Sequence, residues 1–392
     1  MYKLINNRIL VSAIFLLVFV FGFSSNSFGE EPFKLEAKSA LLMDASSGEI
    51  IYEKNIHEKT PPASITKIML LLIAMEELDS GKISLEDEVY ISANSSRMGG
   101  TQVYLEEGET QKVDDLLKAI CIRSANDAAV ALAEHISGSI EVFVQRMNER
   151  AKELGMNNTL FKNTTGLPDG EHVTTAYDVG IMSKELLKHP KIHDWLTVYM
   201  TDIYVGKKKD KVQTLVNTNK LIRDYQGITG IKTGHISDAG HCLSASARRG
   251  NLTLISVILG GPTSNSRFAE SKQLLDYGFA NYDSIAICKK NDIIKNISVL
   301  KGKNHTLNIV AENEYSVLLK KGMTKDIEKE IILPDSISAP IKKGEKIGEI
   351  ILKNKGQEIG RVGLVSEKEI EKASLLDMFK KVTTSFLGYR KP

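Results

Sequence analysis

Three short motifs contain the residue types needed for acyl transfer through a serine ester. They follow one another as Ser64-Ile65-Thr66-Lys67, Ser124-Ala125-Asn126 and Lys232-Thr233-Gly234. A serine hydroxyl is a poor nucleophile at neutral pH and needs an adjacent base. Residues three apart lie on one face of a helix, so we expect the Lys67 amine within hydrogen-bond reach of the Ser64 hydroxyl. The spacing predicts Ser64 as nucleophile and Lys67 as its base.

Lys67 can act as a base only if it loses its proton near neutral pH. Burial and a second nearby cation both lower the pKa of a lysine, and Lys232 is the obvious second cation. A helix that begins at Ser64 also places positive potential at the serine oxygen, which favours an alkoxide and an oxyanion.

The surroundings of Ser64 separate it from chance matches to the same pattern. Ser298-Val299-Leu300-Lys301 has the same spacing but lies in an alternating, strand-like stretch, where we expect a surface residue. Ser64 follows two prolines and precedes an apolar run from Ile68 to Met75. A run that is apolar on every side predicts a buried helix, and prolines are tolerated before its first turn.

Ser124 lies between two amphipathic runs, so we expect it on a connection between two packed helices. Ser92-Ala93-Asn94 has the same pattern but lies in a polar stretch typical of an exposed loop. The Ser124 hydroxyl is expected to relay a proton between Lys67 and the leaving amine, or to cap a helix, or both. The Asn126 amide can donate to and accept from a peptide bond.

The third motif lies in a stretch with strand character, followed by two runs that predict a hairpin around Arg248-Arg249-Gly250-Asn251. Glycine at position 234 allows a ligand backbone to approach as an added strand. Lys232 and Thr233 would then bind a terminal carboxylate. The alternative for Lys232 alone is an exposed strand lysine.

Taken together, the motifs resemble the S-x-x-K, S-x-N and K-T-G set of penicillin-binding proteins and serine β-lactamases. Three further stretches resemble the D-alanyl-D-alanine carboxypeptidases among them: residues 163–169, residues 231–240 with His235, and Gly260-Gly261. The resemblance implies removal of the terminal D-alanine from peptidoglycan pentapeptides, with Ser64 forming the acyl-enzyme and β-lactams acylating it. It also implies an oxyanion hole made by the backbone N–H groups of Ser64 and His235.

The same residues fit other activities. A D,D-endopeptidase or a β-lactamase could use this site, and an inactive peptidoglycan-binding protein is the alternative from another class. Class A β-lactamases activate water with a dedicated glutamate, and here Asp169 and Glu171 lie in a plausible loop. We expect both to be solvated turn residues, with Lys67 and Ser124 serving both half-reactions.

The first 29 residues predict an exported protein. Lys3 and Arg8 flank an apolar segment that ends in small residues, which is typical of a signal peptide cleaved after Gly29; an uncleaved anchor is the alternative. Cleavage lowers the formal net charge from +2 to zero, which gives no indication of a nucleic-acid partner. We expect the mature protein at the outer face of the cytoplasmic membrane or in the cell wall.

The three cysteines and eight histidines show no spacing typical of a metal site, so no metal or other cofactor is predicted. Cys121, Cys242 and Cys288 lie in apolar helical or strand-like runs and are expected to be buried small hydrophobic residues rather than a disulfide framework.

The predicted fold is α+β and has several parts. Residues 30–283 are expected to form a catalytic domain with helices packed on an antiparallel sheet, and residues 284–366 a small all-β spacer domain with lysine-rich turns. In residues 367–392, Leu375, Phe379, Val382 and Phe386 recur at helical spacing beside basic residues. This predicts an amphipathic helix on a membrane surface, with packing against the β domain as the alternative.

Overall fold

The structure is a computed structural model that describes residues 34–323, 327–375 and 377. The predicted signal peptide, residues 1–29, lies outside the described residues, as do residues 376 and 378–392 of the predicted terminal helix. Within the part of the chain that is described, no helix is both long and apolar enough to span a bilayer.

A five-stranded antiparallel sheet forms the centre of the first part of the chain. The strands of this part are β1 (Ser39–Asp44), β2 (Ile50–Lys54), β3 (Glu88–Tyr90), β4 (Thr110–Lys112), β5 (Met200–Val205), β6 (Lys211–Val216), β7 (Ile228–Ile236), β8 (Gly240–Arg249) and β9 (Leu252–Gly261). The sheet has the order β2-β1-β9-β8-β7, while β3 pairs with β4 and β5 with β6. The predicted hairpin is confirmed as β8 and β9, and β7, which carries Lys232, lies at an edge of the sheet.

Helices pack on this sheet, as predicted. They are α1 (Lys67–Asp79), α2 (Ala93–Ser96), α3 (Val113–Lys118), α4 (Asn126–Ser137), α5 (Ile140–Glu153), α6 (Ala176–Leu186), α7 (His193–Leu196), α8 (Leu221–Asp224) and α9 (Ser264–Asn281), with 3₁₀ turns at Ala63–Thr66 and Pro190–Ile192.

Helix α1 is the buried helix that the apolar run predicts. Every residue from Ile68 to Met75 is at most 2% exposed and belongs to the main core. Each fully buried leucine of this run contributes about 2 kcal/mol relative to an exposed one. The N-terminus of α1 is therefore held by packing on all sides, which gives the residues around it a rigid support.

The second part of the chain is a small all-β domain, as predicted. Its strands are β10 (Tyr282–Cys288), β11 (Ile293–Leu300), β12 (Thr306–Ala311), β13 (Tyr315–Lys320), β14 (Ile327–Ile332), β15 (Ser336–Ser338), β16 (Lys346–Asn354) and β17 (Gln357–Ser366). Strands β10 and β13 pair, and the others form a sheet of order β14-β16-β17-β12-β11-β15 around a separate apolar core. Ser298 is an exposed residue of β11, as expected.

The β domain follows the first part without a linker. Helix α9 ends at Asn281 and β10 begins at Tyr282. Lys321, just after β13, donates its backbone N–H to Asn281 O over 2.8 Å and its Nζ hydrogen to Phe279 O over 2.7 Å. The end of α9 is thus hydrogen-bonded to the β domain on the far side of the junction.

Residues 367–373, the first of the segment predicted as a terminal helix, are not helical and form isolated β-bridges to the β domain at Ile370 and Lys372. Ile370 is fully buried in the core of this domain, and its N–H and C=O both pair with Ile341. Ala373 donates its N–H to Lys301 O over 2.8 Å. Among the described residues of this segment, only Leu375 and Asp377 are helical.

All three cysteines are buried and free, which confirms their interpretation as small hydrophobic residues. Burial raises the pKa of the Cys121 thiol to about 12 and that of Cys242 to about 11. Both thiols are therefore neutral at physiological pH.

Candidate active site

Ser64 lies in the 3₁₀ turn Ala63–Thr66, which leads directly into α1. Its side chain is half-buried, whereas those of Ile65 and Thr66 are buried. Ala63, just before it, has a left-handed backbone with φ +48°, a conformation that costs a non-glycine residue roughly 1–2 kcal/mol. The helix thus begins near Ser64 as predicted, but through a strained turn that sequence analysis did not anticipate.

A loop of residues 162–172, which we call the strap, passes against this turn. Asn163 Oδ1 organises it by accepting hydrogen bonds from the backbone N–H groups of Thr165, over 3.1 Å, and Gly166, over 2.7 Å. Gly166 has φ +83°, and a β carbon there would lie only 1.7 Å from the carbonyl oxygen of Ala63. The close approach of the two backbones requires glycine at this position.

Lys67 is fully buried and has three oxygen neighbours. Its Nζ lies 3.1 Å from Ser64 Oγ, 2.7 Å from Asn126 Oδ1 and 2.8 Å from the Thr165 carbonyl oxygen. The last two oxygens can only accept, so a neutral amine gives them its two hydrogens. Its lone pair is then left for the Ser64 hydroxyl.

Burial lowers the pKa of Lys67 well below its usual value, and the charge of Lys232 lowers it further. Both causes were predicted from the sequence. The carboxylate of Asp127 acts in the opposite sense. Asp127 is itself buried and accepts hydrogen bonds from the backbone N–H groups of Val103 and Leu105. These bonds stabilise the Asp127 carboxylate and hold it against the loop that borders the site.

Asn126 is the first residue of α4, and its amide is fixed at both ends. Oδ1 accepts from Lys67, while Nδ2 donates to Gly99 O over 2.6 Å. Its backbone N–H donates to Thr101 O over 2.7 Å. An amide nitrogen has two hydrogens, so one remains after the bond to Gly99.

Ser124 follows a π-helical turn, Ala119–Arg123, and has a left-handed backbone with φ +68°. It lies between packed helices, as expected. Its hydroxyl is buried and has no hydrogen-bond partner among the described residues. A buried hydroxyl without a partner is costly to the fold and is therefore a common sign of a functional position. Ser92, by contrast, caps the short helix α2.

The third motif runs along edge strand β7 and packs against the turn that holds Ser64. A β carbon at Gly234 would lie 3.1 Å from the Ala63 side chain and 3.2 Å from Pro62 O, so the strand lies close to the turn. Lys232 is buried, and Thr233 donates its hydroxyl hydrogen to Thr218 Oγ1 over 2.8 Å.

His235 is exposed and follows the motif on β7. Its ring stacks on that of His241 with 4.0 Å between centroids, and its Nδ1 lies 3.2 Å from Gly240 O. A pocket of about 420 Å³ opens beside it, between the strap and the β7–β8 turn. Its lining residues are Pro168, His235, Ile236, Ser237 and Asp238.

Burial lowers the pKa of Lys232 to about 7, and the charge of Arg267 lowers it further. Arg267 was not identified from the sequence. It lies on α9, is buried, and donates from Nη1 to Gly234 O over 2.9 Å and to Cys242 O over 3.2 Å. It therefore fixes the backbone of the third motif and adds a positive charge beside Lys232.

The structure thus brings Ser64, Lys67 and Asn126 into direct hydrogen-bond contact. Lys232 is close enough for its charge to act on Lys67. Ser124, Thr233 and His235 make no hydrogen bond to Ser64 or Lys67 within the described chain. Asp169 and Glu171 are exposed, and Glu171 pairs with Lys162 over 2.7 Å, so both are solvated turn residues as expected.

Comparison with known proteins accounts for nearly the whole chain. Residues 26–263 match the family described as D-alanyl-D-alanine carboxypeptidase, and residues 282–372 match the C-terminal domain of penicillin-binding protein 5. The chain is 41% identical over 388 residues to the D-alanyl-D-alanine carboxypeptidase DacF of Bacillus subtilis, covering 97% of this chain and 99% of that protein.

Solved structures agree in fold. Penicillin-binding protein 5 of Haemophilus influenzae is similar with a TM-score of 0.74 and 31% identity, over 88% of this chain and 100% of that one. Penicillin-binding protein D2 of Listeria monocytogenes, in an ampicillin-bound form, matches with a TM-score of 0.57 and 31% identity, over 64% of this chain and 100% of that one. The catalytic part, the β domain and the three motifs together place this chain in the D-alanyl-D-alanine carboxypeptidase family of penicillin-binding proteins.

Proposed function

We propose that this serine D,D-carboxypeptidase removes the terminal D-alanine from peptidoglycan stem pentapeptides through an acyl-enzyme on Ser64. The observation that supports this most strongly is the environment of Lys67. Two acceptor oxygens take the hydrogens of its amine, and its lone pair is left for Ser64 Oγ at 3.1 Å. A buried lysine with a lowered pKa can accept the serine proton at neutral pH.

In the proposed acylation step, Ser64 Oγ attacks the carbonyl carbon between the two D-alanines and its proton passes to Lys67. The backbone N–H groups of Ser64 and His235 are proposed to bind the oxyanion. The C–N bond then breaks, and the proton returns from Lys67 through Ser124 to the leaving amine. The hydroxyl of Ser124 is buried and has no partner in the part of the chain that the structure describes, so it is available for this transfer.

Substrate binding is proposed to use the edge of β7. An extended peptide can pair with the edge of a sheet, and β7 is the last strand of the described five-stranded sheet. The charge of Lys232 would bind the terminal carboxylate, and the Thr233 hydroxyl would turn its hydrogen from Thr218 Oγ1 to the same carboxylate when the substrate binds. The remaining amide hydrogen of Asn126 would bind the preceding peptide bond. β-Lactams carry a carboxylate in a similar position and are proposed to acylate Ser64 in the same way.

Hydrolysis of the acyl-enzyme returns the serine. Asp169 and Glu171 are exposed and outside the site, so neither is placed to activate water. We propose that Lys67 takes a proton from the attacking water and returns it to Ser64 Oγ, with Ser124 assisting. The same residues then serve both half-reactions.

Export to the outer face of the membrane, and attachment of the terminal segment to the membrane surface, belong to the same proposal. Ala373 is the last described residue that is buried, Leu375 is exposed, and the basic, amphipathic sequence of residues 375–392 fits an interfacial helix. Binding of the mature protein to anionic vesicles, lost on truncation after residue 375, is the expected result. Equal binding by the full and truncated chains would contradict it.

The activity is tested by incubating the mature protein with a pentapeptide muropeptide and following the product by mass spectrometry. We expect loss of one alanine, absent in Ser64→Ala and unchanged in Ser298→Ala, which alters the other serine of the same spacing. An intact pentapeptide would contradict the assignment. Cleavage of cross-linked muropeptides would identify an endopeptidase, hydrolysis of penicillin a β-lactamase, and binding alone an inactive protein.

Ser124→Ala is expected to lower turnover roughly 100-fold, the usual contribution of one positioned proton donor or acceptor. Because no described residue bonds the Ser124 hydroxyl, we expect the free energy of unfolding to change by less than about 1 kcal/mol. Ser183→Ala is the matched control, since its buried hydroxyl bonds Ser244 at 2.8 Å. It should lose about 1 kcal/mol of stability and keep its activity. Wild-type turnover in Ser124→Ala would exclude the relay.

The value of kcat/KM is expected to fall as the pH rises through the Lys232 pKa of about 7, because the neutral amine no longer attracts the substrate carboxylate. Arginine stays charged, so in Lys232→Arg the descending limb should move above about pH 10, even if the maximum rate is lower. The pH profiles of both proteins from pH 5 to pH 10 provide the check. If the descending limb of the Lys232→Arg profile stays at the wild-type pH, the titrating group is not Lys232.

A further inference from the structure

A hydrogen-bond chain links the strap to the residue before Ser64. His172, at the end of the strap, is 2% exposed and its Nε2 lies 2.9 Å from Thr66 Oγ1. Thr66 Oγ1 in turn donates to the carbonyl oxygen of Ala63 over 2.8 Å. Both of these hydrogen bonds are buried. Neither Thr66 nor His172 has a role in the proposed reaction.

The hydrogens of this chain have one consistent assignment. The backbone N–H of Lys162 points to His172 Nδ1 over 3.4 Å, so Nδ1 accepts and Nε2 carries the ring hydrogen. Nε2 then donates to Thr66 Oγ1, whose own hydrogen goes to Ala63 O. Burial lowers the pKa of His172 to about 4 against the charge of Asp169, which keeps the ring in this neutral form at physiological pH.

The last acceptor in this series of hydrogen bonds, the Ala63 carbonyl oxygen, is important because the Ala63 carbonyl and the Ser64 N–H belong to one peptide unit. That unit is planar, and in the usual trans form its C=O and N–H point in opposite directions. Ala63 has the left-handed φ of +48°, which neighbouring contacts must hold in place. Fixing the carbonyl oxygen therefore also fixes the direction of the Ser64 N–H.

We propose that His172 and Thr66 are positioning residues that orient the Ser64 N–H as an oxyanion donor by holding the Ala63 carbonyl on the opposite side of the same peptide. This inference rests on the proposed function, in which that N–H binds the oxyanion. The hydrogen bond accepted by the carbonyl also polarises the peptide and strengthens its N–H as a donor. Gly166 supports the same carbonyl from the strap, in van der Waals contact.

The test compares variants that differ in one hydrogen-bond donor. Thr66→Val and His172→Phe keep the approximate volume and remove a donor, whereas Thr66→Ser and His172→Gln retain one. We expect the first pair to lower the rate constant of acylation by a fluorescent penicillin about 10- to 100-fold, because a misdirected oxyanion donor loses part of its effect. The second pair should stay within about threefold of wild type, and KM for the pentapeptide should change less than kcat in all four.

The double variant Thr66→Val/His172→Phe should be no slower than the slower single variant, because both changes break one chain. Ser271→Ala is the control: it removes a buried hydroxyl that lies 2.5 Å from Ser256 Oγ, and should affect stability but not acylation. Thermal unfolding of every variant shows that it is folded. If Thr66→Val does not fold, the acylation rates of His172→Phe and His172→Gln still compare the loss of the donor with its retention.

Three results would overturn the inference: wild-type acylation in the donor-free variants, equal loss in the donor-retaining ones, or multiplied losses in the double variant. A wild-type protein that penicillin does not acylate would instead contradict the proposed function. Wild-type acylation without D-alanine release would contradict the carboxypeptidase reaction and leave the positioning role to be decided by the variants.

Discussion

Replacing Lys67 by methionine is expected to lower the rate of acylation by penicillin and of D-alanine release at least roughly 1,000-fold, close to the level of Ser64→Ala. Methionine has similar length but no lone pair of the required basicity, so the Ser64 proton has no acceptor. A general base contributes about 100- to 10,000-fold, and residues that act as a unit fail together. Stopped-flow acylation and single-turnover product release measure both rates.

The Lys67→Arg variant distinguishes a role of Lys67 as a base from a role as a positive charge. Arginine keeps a cation near Ser64 but stays protonated, so it should be as inactive as methionine. Lys184→Met is a matched control, because Lys184 is a partly buried lysine with a lowered pKa that lies on α6, where it contacts Gly48. It should retain wild-type rates. Substantial activity in Lys67→Arg would show that the amine acts through its charge and not as a base.

Gly166→Ala is expected to abolish acylation and to destabilise the protein by about 3 kcal/mol or more. The new β carbon would lie 1.7 Å from Ala63 O, 2.2 Å from Ala63 C and 2.9 Å from Ser64 N, and these are all backbone atoms. Backbone cannot move aside as a flexible side chain can, and φ +83° adds strain for any residue with a β carbon. The turn that carries Ser64 must therefore shift or the strap must detach.

Gly170→Ala is the control for this change. It lies in the same strap, but no atom lies within 4 Å of the position of its β carbon. We expect unchanged acylation and a free energy of unfolding equal to or slightly above that of the wild type. Denaturant unfolding and penicillin acylation of the two variants measure these effects. A stable and active Gly166→Ala protein would show that the close approach of Gly166 to the Ala63 carbonyl is unnecessary.

Much of the fold was predictable because local pattern determined it. The apolar run after Ser64 predicted a buried helix, the two strand-like runs on either side of Arg248-Arg249-Gly250-Asn251 predicted a hairpin, and both are confirmed. The contact between Ser64 and Lys67 follows from helical spacing alone. The fold class was predictable for the same reason, since helical and alternating periods separate the two parts of the chain.

The unpredicted features depend on groups that are distant in sequence. The Thr165 carbonyl that binds Lys67 is 98 residues away, and any residue type supplies a carbonyl oxygen. Arg267 fixes Gly234 from another element, and no local motif marks it. The left-handed φ of Ala63 has no sequence signal either, because contacts with surrounding residues hold the backbone in that conformation. The helical period of residues 375–386 wrongly extended the predicted helix over residues 367–373, which pair with the β domain instead.

The junction between α9 and β10 has a mechanical consequence. No residue separates Asn281 from Tyr282, and Lys321 is hydrogen-bonded back to α9, so the backbone at the junction is restrained on both sides. We therefore expect a tilt of the β domain to turn the sheet that carries Lys232 with it. The orientation of the β domain would then also set the direction in which the cleft at Ser64 opens.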